Sequence, residues 1–199
     1  MEETPNQPEL IGRSVDELAR ERGEDPTAVA LDIALADDLE TRFRVIFAND
    51  DLPLLERILR TDGCLLGLSD AGAHNSQMCD ASLPIDFLSK WVRDRELMPI
   101  EAGVRKLTGE LADFLGLSDR GYLREGTAGD VVVFDLDDLD SGPLRRVADF
   151  PAGTDRLTAD APRGLRHVLV NGVPIRVDGD DVRAKVDDLP GTLLSSQSG

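Results

Sequence analysis

The sequence has few aromatic and few basic residues. One Trp, one Tyr and six Phe occur among 199 residues, so we expect a core built from aliphatic side chains. Lys and Arg together number 22 against 39 Asp and Glu, which gives a formal net charge of −17. Because proteins bind nucleic acids through clustered cations, this balance argues against DNA or RNA as a partner.

Cysteines and long apolar runs are also scarce. The two cysteines, Cys64 and Cys79, are too few for a disulfide scaffold and fit a reducing compartment. No apolar run reaches the roughly 18 residues of a membrane span. The first residues, which include Glu2, Glu3 and Pro5, lack the basic start and the apolar stretch of a signal peptide. We therefore expect a cytoplasmic protein that does not bind membranes.

Helix and strand signals alternate in the first part of the chain. Ser14 and Glu17 have the spacing of a capping box, and Asp25 followed by Pro26 predicts the start of a second helix. Apolar residues alternate with other residues over 43–47, which predicts a strand.

The next segments continue this alternation. The continuous apolar run at 64–69 is typical of a strand covered on both faces, as in parallel sheets. Apolar residues at helical spacing predict helices around 54–59, 87–92 and 100–107. This order of elements predicts an α/β layer with a parallel sheet.

The composition changes after residue 117 and indicates β structure. Residues 131–134 predict a strand, and 141–164, rich in Pro, Gly and Asp, predict a long loop. Residues 168–177 predict a hairpin around Asn171-Gly172, the favoured type I′ pair. The expected organisation is an α/β part, a β part and a mobile tail, at residues 1–117, 118–187 and 188–199.

The most informative segment follows the strand predicted at 64–69. Residues 67–74 read Gly-Leu-Ser-Asp-Ala-Gly-Ala-His. In α/β folds the chemistry lies beyond the carboxyl ends of parallel strands, which is where Asp70 falls. The small residues at 71–73 allow a ligand to approach the backbone closely. The same spacing also fits a simpler arrangement, in which Asp70 caps a turn and His74 is a loop histidine.

Four segments resemble one known family. Residues 68–74 resemble the strand-eight motif of the amidohydrolase superfamily, in particular of the N-acyl-D-amino-acid deacylases, or D-aminoacylases. Residues 121–135 resemble the passage from the barrel of these enzymes into their small β-sandwich, and 168–179 resemble its closing hairpin. Residues 105–108 and 115–117 match the helix between the strand-eight motif and this passage. The resemblance implies the C-terminal part of a metal-dependent-hydrolase (β/α)₈ barrel followed by part of a small β-sandwich.

The resemblance also implies a role for Asp70. In this family the corresponding residue lies at the metal site, takes a proton from the attacking water and passes it to the leaving nitrogen, so Asp70 is expected as both base and metal ligand. Ser69, Gly72 and His74 are the expected substrate contacts, although a hydrogen bond within the loop suits His74 equally well. The implied substrate is a small-molecule N-acyl-D-amino acid, and the implied cofactor is Zn²⁺.

The histidines depart from the family pattern. The His-x-His motif that follows the first barrel strand is absent, and the chain contains only His74 and His167, of which His167 is expected to be structural. Cys64 is expected to pack in the strand, and Cys79, nine residues past Asp70, to shape the substrate loop. A catalytic zinc site uses about three protein ligands. We therefore expect the C-terminal portion of a longer enzyme, which binds no zinc alone.

Three hypotheses for the function follow. The first is a fragment of a hydrolase of linear C–N amide bonds, with Asp70 as base. The second is a non-catalytic fragment or interaction domain that has lost the metal site. The third is a fragment of a cyclic-amide hydrolase of the dihydroorotase or hydantoinase type.

The β part is also expected to be incomplete. The predicted segments supply about three strands, whereas the sandwiches of the family also take strands from the start of the chain. Val131, Val133, Val168 and Val170 would then belong to a sheet with an unpaired edge. Such edges pair with other chains, so we expect either self-association through this region or loose order in it.

Overall fold

A computed structural model describes residues 1–46, 48–74, 76, 81–159, 161–186 and 188–194. The chain divides into two compact units, Met1–Leu52 and Pro53–Gly199.

Two helices and a short 3₁₀ turn build the first unit: Pro8–Leu10, α1 at Val15–Arg22 and α2 at Pro26–Ala36. The predicted capping box is confirmed, since the Glu17 N–H donates to Ser14 Oγ at 3.1 Å and the Ser14 N–H donates to the Glu17 carboxylate at 3.1 Å. The Asp25 carboxylate accepts hydrogen bonds from the first turn of α2, which confirms the second predicted start. Both helices begin where a side chain satisfies their unpaired N–H groups.

The core of this unit is small and aliphatic, as the composition predicts; its buried members are Leu10, Leu18, Ala19, Val29 and Ile33. The strand predicted over 43–47 is wrong for residues 43–46, and Phe47 lies outside the described residues. Arg42 forms a single bridge with Glu3, and Val45 and Ile46 are exposed. A strand needs a neighbour along its length to pair its backbone groups, and two facing residues do not provide one.

Among the described residues of the second unit, the α-helices before the strands are α3 at Leu52–Arg60, which begins at the boundary, α4 at Leu83–Asp86, α5 at Ile100–Leu107 and α6 at Gly109–Leu115. Helix α4 continues directly into a π-helical segment, Phe87–Asp94. The predicted helices around 54–59, 87–92 and 100–107 are thus confirmed as helical. The buried side chains of the π-helical segment form a cluster with Leu97 and with Leu139, which belongs to the strand region; its buried members are Phe87, Leu88, Val92, Leu97 and Leu139. Partly buried side chains of α3, α4 and α5 and of the strand region pack against this cluster.

The strand predicted at 64–69 is wrong. These residues, all of which the structure describes, form no ladder, although Leu66 packs against the cluster of the second unit. A parallel strand obtains its hydrogen bonds from strands on either side, and no parallel pair occurs among the strands of the described residues. The apolar run is therefore only partly buried, through Leu66, and has no sheet around it.

Six strands occupy the last third of the described chain: β1 at Val131–Phe134, β2 at Leu144–Val147, β3 at Arg156–Ala159, β4 at Leu165–Val170, β5 at Val173–Val177 and β6 at Asp180–Asp181. They form an antiparallel sheet of order β1-β4-β5-β6 and a separate antiparallel pair, β2-β3. The predicted turn at Asn171-Gly172 is confirmed, with φ of 47° and 79°, as a type I′ turn requires.

The loop predicted over 141–164 is wrong in its middle, where β2 and β3 pair through Arg146 and Leu157. The Pro and Gly residues of this stretch lie in turns around two short strands. This agrees with the rarity of long loops without secondary structure in compact domains.

The turn between β1 and β2 is fixed by one side chain of the π-helical segment. Arg93 Nη1 donates to the carbonyl oxygens of Leu136 at 2.8 Å, Asp137 at 3.3 Å and Leu139 at 2.8 Å. The Leu139 side chain is fully buried, so its carbonyl group needs a protein partner. The helices and the strand region therefore make both polar and apolar contacts across the boundary predicted near residue 118. The division into a barrel part and a sandwich part stays a prediction.

An apolar cavity of about 880 Å³ lies between the strands β1 and β4 and the helices α5 and α6. Its walls include Val104, Leu111, Val131 and Leu169. Among the described residues, no helix combines the length and the apolar character needed to cross a bilayer.

The turn at Gly164 offers a stability test. Gly164 has φ +71°, and a Cβ added there would lie 2.6 Å from the Leu139 nitrogen. Gly153 has a similar φ of +70°, but a Cβ added to it would meet open space. Gly153→Ala should lower the free energy of unfolding by about 1–2 kcal/mol through backbone strain alone. Gly164→Ala should cost about 1–3 kcal/mol more because the turn must shift. Urea unfolding measures both, and equal losses would contradict the close packing of this turn.

Candidate functional site

The segment that contains Asp70 leaves the core within a few residues. We call residues 64–74 together with Ser76 the Asp70 segment. Leu66 is half-buried in the core cluster, whereas Leu68 is 99% exposed. The segment thus runs from packed to exposed over the four residues before Asp70.

A tight turn follows at once. The Ala73 N–H donates to the Asp70 carbonyl oxygen at 3.0 Å, and the Ala71 N–H lies 3.4 Å from Ser69 Oγ. Gly72 has φ +86°, a conformation in which a glycine is unstrained. The side chain that caps this turn is therefore Ser69, and the Asp70 carboxylate is not needed for it.

The turn brings the four candidate residues of the sequence together. Asp70, Gly72 and His74 are exposed, and Ser69 is half-buried. Within the described part of the chain, neither the Asp70 carboxylate nor the His74 ring has a hydrogen bond or an ion pair. Both side chains are accordingly available to a ligand, and their catalytic and substrate-binding roles stay predictions.

Two cationic side chains that sequence reasoning missed contact the Asp70 segment at its ends. Lys106 Nζ, from α5, donates to the Cys64 carbonyl oxygen at 3.0 Å. Arg146 Nη1, from β2, donates to the Ser76 carbonyl oxygen at 2.7 Å and to the Asp155 carboxylate at 3.2 Å. Both donors are charged and both acceptors are backbone groups, a combination stronger than a neutral pair.

A carboxylate network lies where the chain returns to the helices. Asp86 accepts hydrogen bonds from Ser82 Oγ at 2.8 Å and Ser141 Oγ at 2.6 Å, and Lys90 Nζ lies 2.7 Å from the same carboxylate. Burial raises the pKa of Asp86, but the hydrogen bonds from Lys90, Ser141 and Ser82 outweigh it and hold this pKa below its ordinary value. All of its partners are intramolecular, which makes Asp86 a structural link between α4 and the start of the β2-β3 region.

The described residues do not form a metal centre. No group of three His, Cys, Asp or Glu side chains with metal-binding geometry occurs among them. His167 is occupied in the β4-β5 hairpin, since its Nδ1 accepts from the Asp178 N–H at 3.4 Å and its Nε2 lies 3.6 Å from the Asp178 carboxylate. Cys79, the other candidate near Asp70, lies outside the described residues. The residues present therefore do not fit a zinc ion without further ligands.

The Asp86 network gives a pH-dependent prediction. Asp86→Asn should lower the free energy of unfolding at pH 7 by about 1–2 kcal/mol, because charged hydrogen bonds are lost. A carboxyl group whose pKa is depressed by folding contributes stability above its unfolded-state value of about 3.9, and this contribution is lost as the pH falls through the folded-state pKa. The difference should therefore be the same at pH 7 and pH 5 and smaller at pH 3. Urea unfolding would measure it, with the exposed Asp62→Asn as matched control; a difference that grows at pH 3 would contradict the assignment.

Comparison with known proteins places these residues in a family. The model of the amidohydrolase family matches residues 7–176. N-acyl-D-glutamate deacylase of Alcaligenes xylosoxydans xylosoxydans is 35% identical over 179 residues, which are 86% of this chain and 32% of that protein. D-aminoacylase of the same organism is 33% identical over 171 residues, 84% of this chain and 31% of that protein.

Among solved structures, a crystal structure of D-aminoacylase is 27% identical, with a TM-score of 0.49. The alignment covers 89% of this chain and 34% of the D-aminoacylase chain. The chain spans about a third of the length of the curated relatives it matches. With the family model matched over most of its length, the chain belongs to the amidohydrolase family.

Proposed function

We propose that this chain supplies the catalytic base of a metal-dependent deacylase that hydrolyses the linear amide bond of N-acyl-D-amino acids. The observation that carries the proposal is the Asp70 turn: a carboxylate of the family motif is exposed, has no partner in the described part of the chain, and belongs to a segment held at both ends. The similarity to two deacylases of N-acyl-D-amino acids supports the substrate class.

Amide hydrolysis requires a proton transfer that Asp70 can perform. Water attacks the carbonyl carbon, the C–N bond breaks, and the leaving nitrogen must gain a proton. Asp70 would accept the proton of the attacking water and deliver it to that nitrogen, so that one carboxylate acts first as base and then as acid. The carboxylate needs no rearrangement to do this, because Ser69 already caps the turn.

The neighbouring residues suit a small polar substrate. The absence of a side chain at Gly72 lets a substrate approach the backbone of the turn. Ser69 and His74 would donate hydrogen bonds to the acyl oxygen or the carboxylate of an N-acyl amino acid. Ser69 is half-buried and His74 is exposed, and both lie within four residues of Asp70 along the chain.

The expected Zn²⁺ requires ligands beyond those described in this chain. Asp70 is the ligand that we assign here, and the described residues offer no group of three around it. The proposal therefore includes further ligands from a longer protein, in keeping with relatives about three times the length of the matched region. No step of the proton transfer above depends on where those ligands lie.

The test is Asp70→Asn in a protein that contains this chain and turns over N-acyl-D-amino acids. The amide keeps the shape of the carboxylate but cannot accept the proton, so kcat should fall by roughly 10²–10⁴-fold with little change in KM. Steady-state kinetics on N-acetyl-D-glutamate and on neutral N-acetyl-D-amino acids would measure this, with Asp62→Asn as the exposed control. A rate within threefold of wild type would exclude Asp70 as the base.

The same assay distinguishes the alternatives. Turnover of a hydantoin or dihydroorotate in preference to linear amides would indicate a cyclic-amide hydrolase. Absence of turnover on either class, with zinc supplied, would favour a non-catalytic interaction domain. The 199-residue chain alone should be inactive in all of these assays, because its described residues offer a single ligand to the metal.

We also propose that the chain self-associates through strand β1. In the described sheet β1 pairs only with β4, so its other edge is unpaired. Val132 and Val133 are 55% and 43% exposed beside that edge. A second copy offers the same edge, and two such edges can pair antiparallel. The net charge of −17 on each copy opposes the approach, and salt weakens this repulsion.

Light scattering after size exclusion tests this proposal. The dimer fraction should rise with protein concentration and with salt, and Val132→Lys should lower it by placing a charge at the edge. Leu123→Lys, at an exposed site outside the strands, adds the same charge and should leave the dimer fraction unchanged or higher. A monomer at all salt concentrations, or equal effects of the two lysines, would contradict pairing through β1.

A further inference from the structure

We propose that Lys106 and Arg146 are positioning residues for Asp70. They hold the two ends of the Asp70 segment by hydrogen bonds to its backbone, and so fix where the carboxylate points. This inference rests on the proposed function of Asp70 and adds residues from outside its motif.

The first contact lies where the segment leaves the core. Lys106 projects from α5, its side chain is only 12% exposed, and its ammonium group donates to the Cys64 carbonyl oxygen at 3.0 Å. The Glu110 carboxylate, on α6, lies 3.4 Å from the same Lys106 nitrogen and restrains it further. A shielded ammonium between a carbonyl and a carboxylate has little freedom to turn to solvent, so Cys64 is held against α5.

The second contact lies beyond the turn. Arg146 projects from β2, its side chain is 18% exposed, and its guanidinium donates to the Ser76 carbonyl oxygen at 2.7 Å. Asp155, directly before β3, accepts from the same nitrogen at 3.2 Å. The guanidinium is thus oriented by the hairpin on which it lies, and the hairpin is itself paired through Arg146 and Leu157.

Between these contacts the described backbone, residues 64–74, makes few other hydrogen bonds. Residues 64–69 form no ladder, and the turn that follows is closed by the bond from the Ala73 N–H to the Asp70 carbonyl oxygen. An exposed turn with so few bonds is ordered mainly by what holds its ends. Loss of either cation should therefore make the turn mobile without opening the core.

Catalysis is sensitive to this kind of loss. A base must stay within hydrogen-bond reach of its proton, and a misplacement of about 1 Å can cost about 100-fold in rate. A positioning residue should accordingly change kcat more than KM, since it alters the geometry of the base and not the binding of the substrate. It should also be replaced in part by a residue that keeps its charge and its hydrogen bond.

The first experiment measures the turn itself in the 199-residue chain. The variants are Lys106→Met and Arg146→Met, with Arg22→Met as control because it removes an exposed cation from α1, in the first unit. ¹⁵N relaxation should show order parameters at residues 71–74 that fall below about 0.6 in the first two variants. The control and wild type should stay near about 0.85, and the amides of β4 and β5 should be unchanged in every variant. Unchanged order at 71–74 in both test variants would overturn the proposal.

The second experiment measures turnover in the longer protein. Arg146→Met and Lys106→Met should lower kcat by about 10- to 100-fold, with KM within threefold. Arg146→Lys, which keeps one charged donor for the Ser76 carbonyl oxygen, should recover at least half of the lost activity on a logarithmic scale. Asp155→Asn removes the carboxylate that orients Arg146 but leaves the Ser76 contact in place, so kcat should fall less than in Arg146→Met. This variant serves as the test if Arg146→Met does not fold.

The two experiments separate this inference from the proposed function. If Asp70→Asn retains the wild-type rate, the proposed function fails, and the relaxation data alone decide whether the two cations hold the turn. If the turn becomes mobile but kcat is unchanged, or if kcat falls while the turn stays ordered, positioning of Asp70 by these residues is refuted although Asp70 itself can still be the base.

Discussion

The contacts of the Arg93 guanidinium determine how the strand region meets the helices. Three carbonyl oxygens of the turn after β1 accept from it, and the Leu139 side chain of that turn is fully buried in the helical cluster. Unpaired buried carbonyl groups are costly, so the turn could not occupy this position without such a donor. The hairpin β2-β3 follows a few residues later, and Arg146 of that hairpin contacts the Asp70 segment. The location of the candidate base therefore depends on a hydrogen-bonded turn more than 60 residues along the chain.

Elements with local causes could be predicted from the sequence. Ser14 with Glu17, Asp25 with Pro26, and Asn171 with Gly172 act over three residues or fewer, and all three predictions are confirmed. The strand predicted at 64–69 required neighbouring strands that the local pattern cannot reveal, and of its apolar side chains Leu66 packs against the core while Leu68 is exposed. The pair β2-β3 was missed because its residues, Leu-Arg-Arg-Val against Arg-Leu-Thr-Ala, are half polar and lie among prolines and glycines.

The candidate site was predictable to the same extent. The motif at 68–74 indicated Asp70 and its neighbours, and the structure brings them onto one turn. Lys106 and Arg146 were beyond sequence reasoning, because they contact residues 42 and 70 positions away. Nothing distinguishes them in the sequence from the other 20 cations of the chain, and only the fold identifies their acceptors.

The π-helical geometry of Phe87–Asp94 makes the length of this segment as important as its composition. Each turn of a π-helix holds about one residue more than a turn of an α-helix, because its hydrogen bonds join residues five positions apart instead of four. A residue inserted between Leu88 and Arg93 would rotate everything beyond it by about a quarter of a turn about the axis. Arg93 would then face away from the turn that it now satisfies, while Phe87 and Leu88 stayed in the core. In this part of the fold, chain length is constrained as tightly as the identities of Arg93 and the buried side chains, and we expect insertions to be tolerated no better than substitutions at these positions.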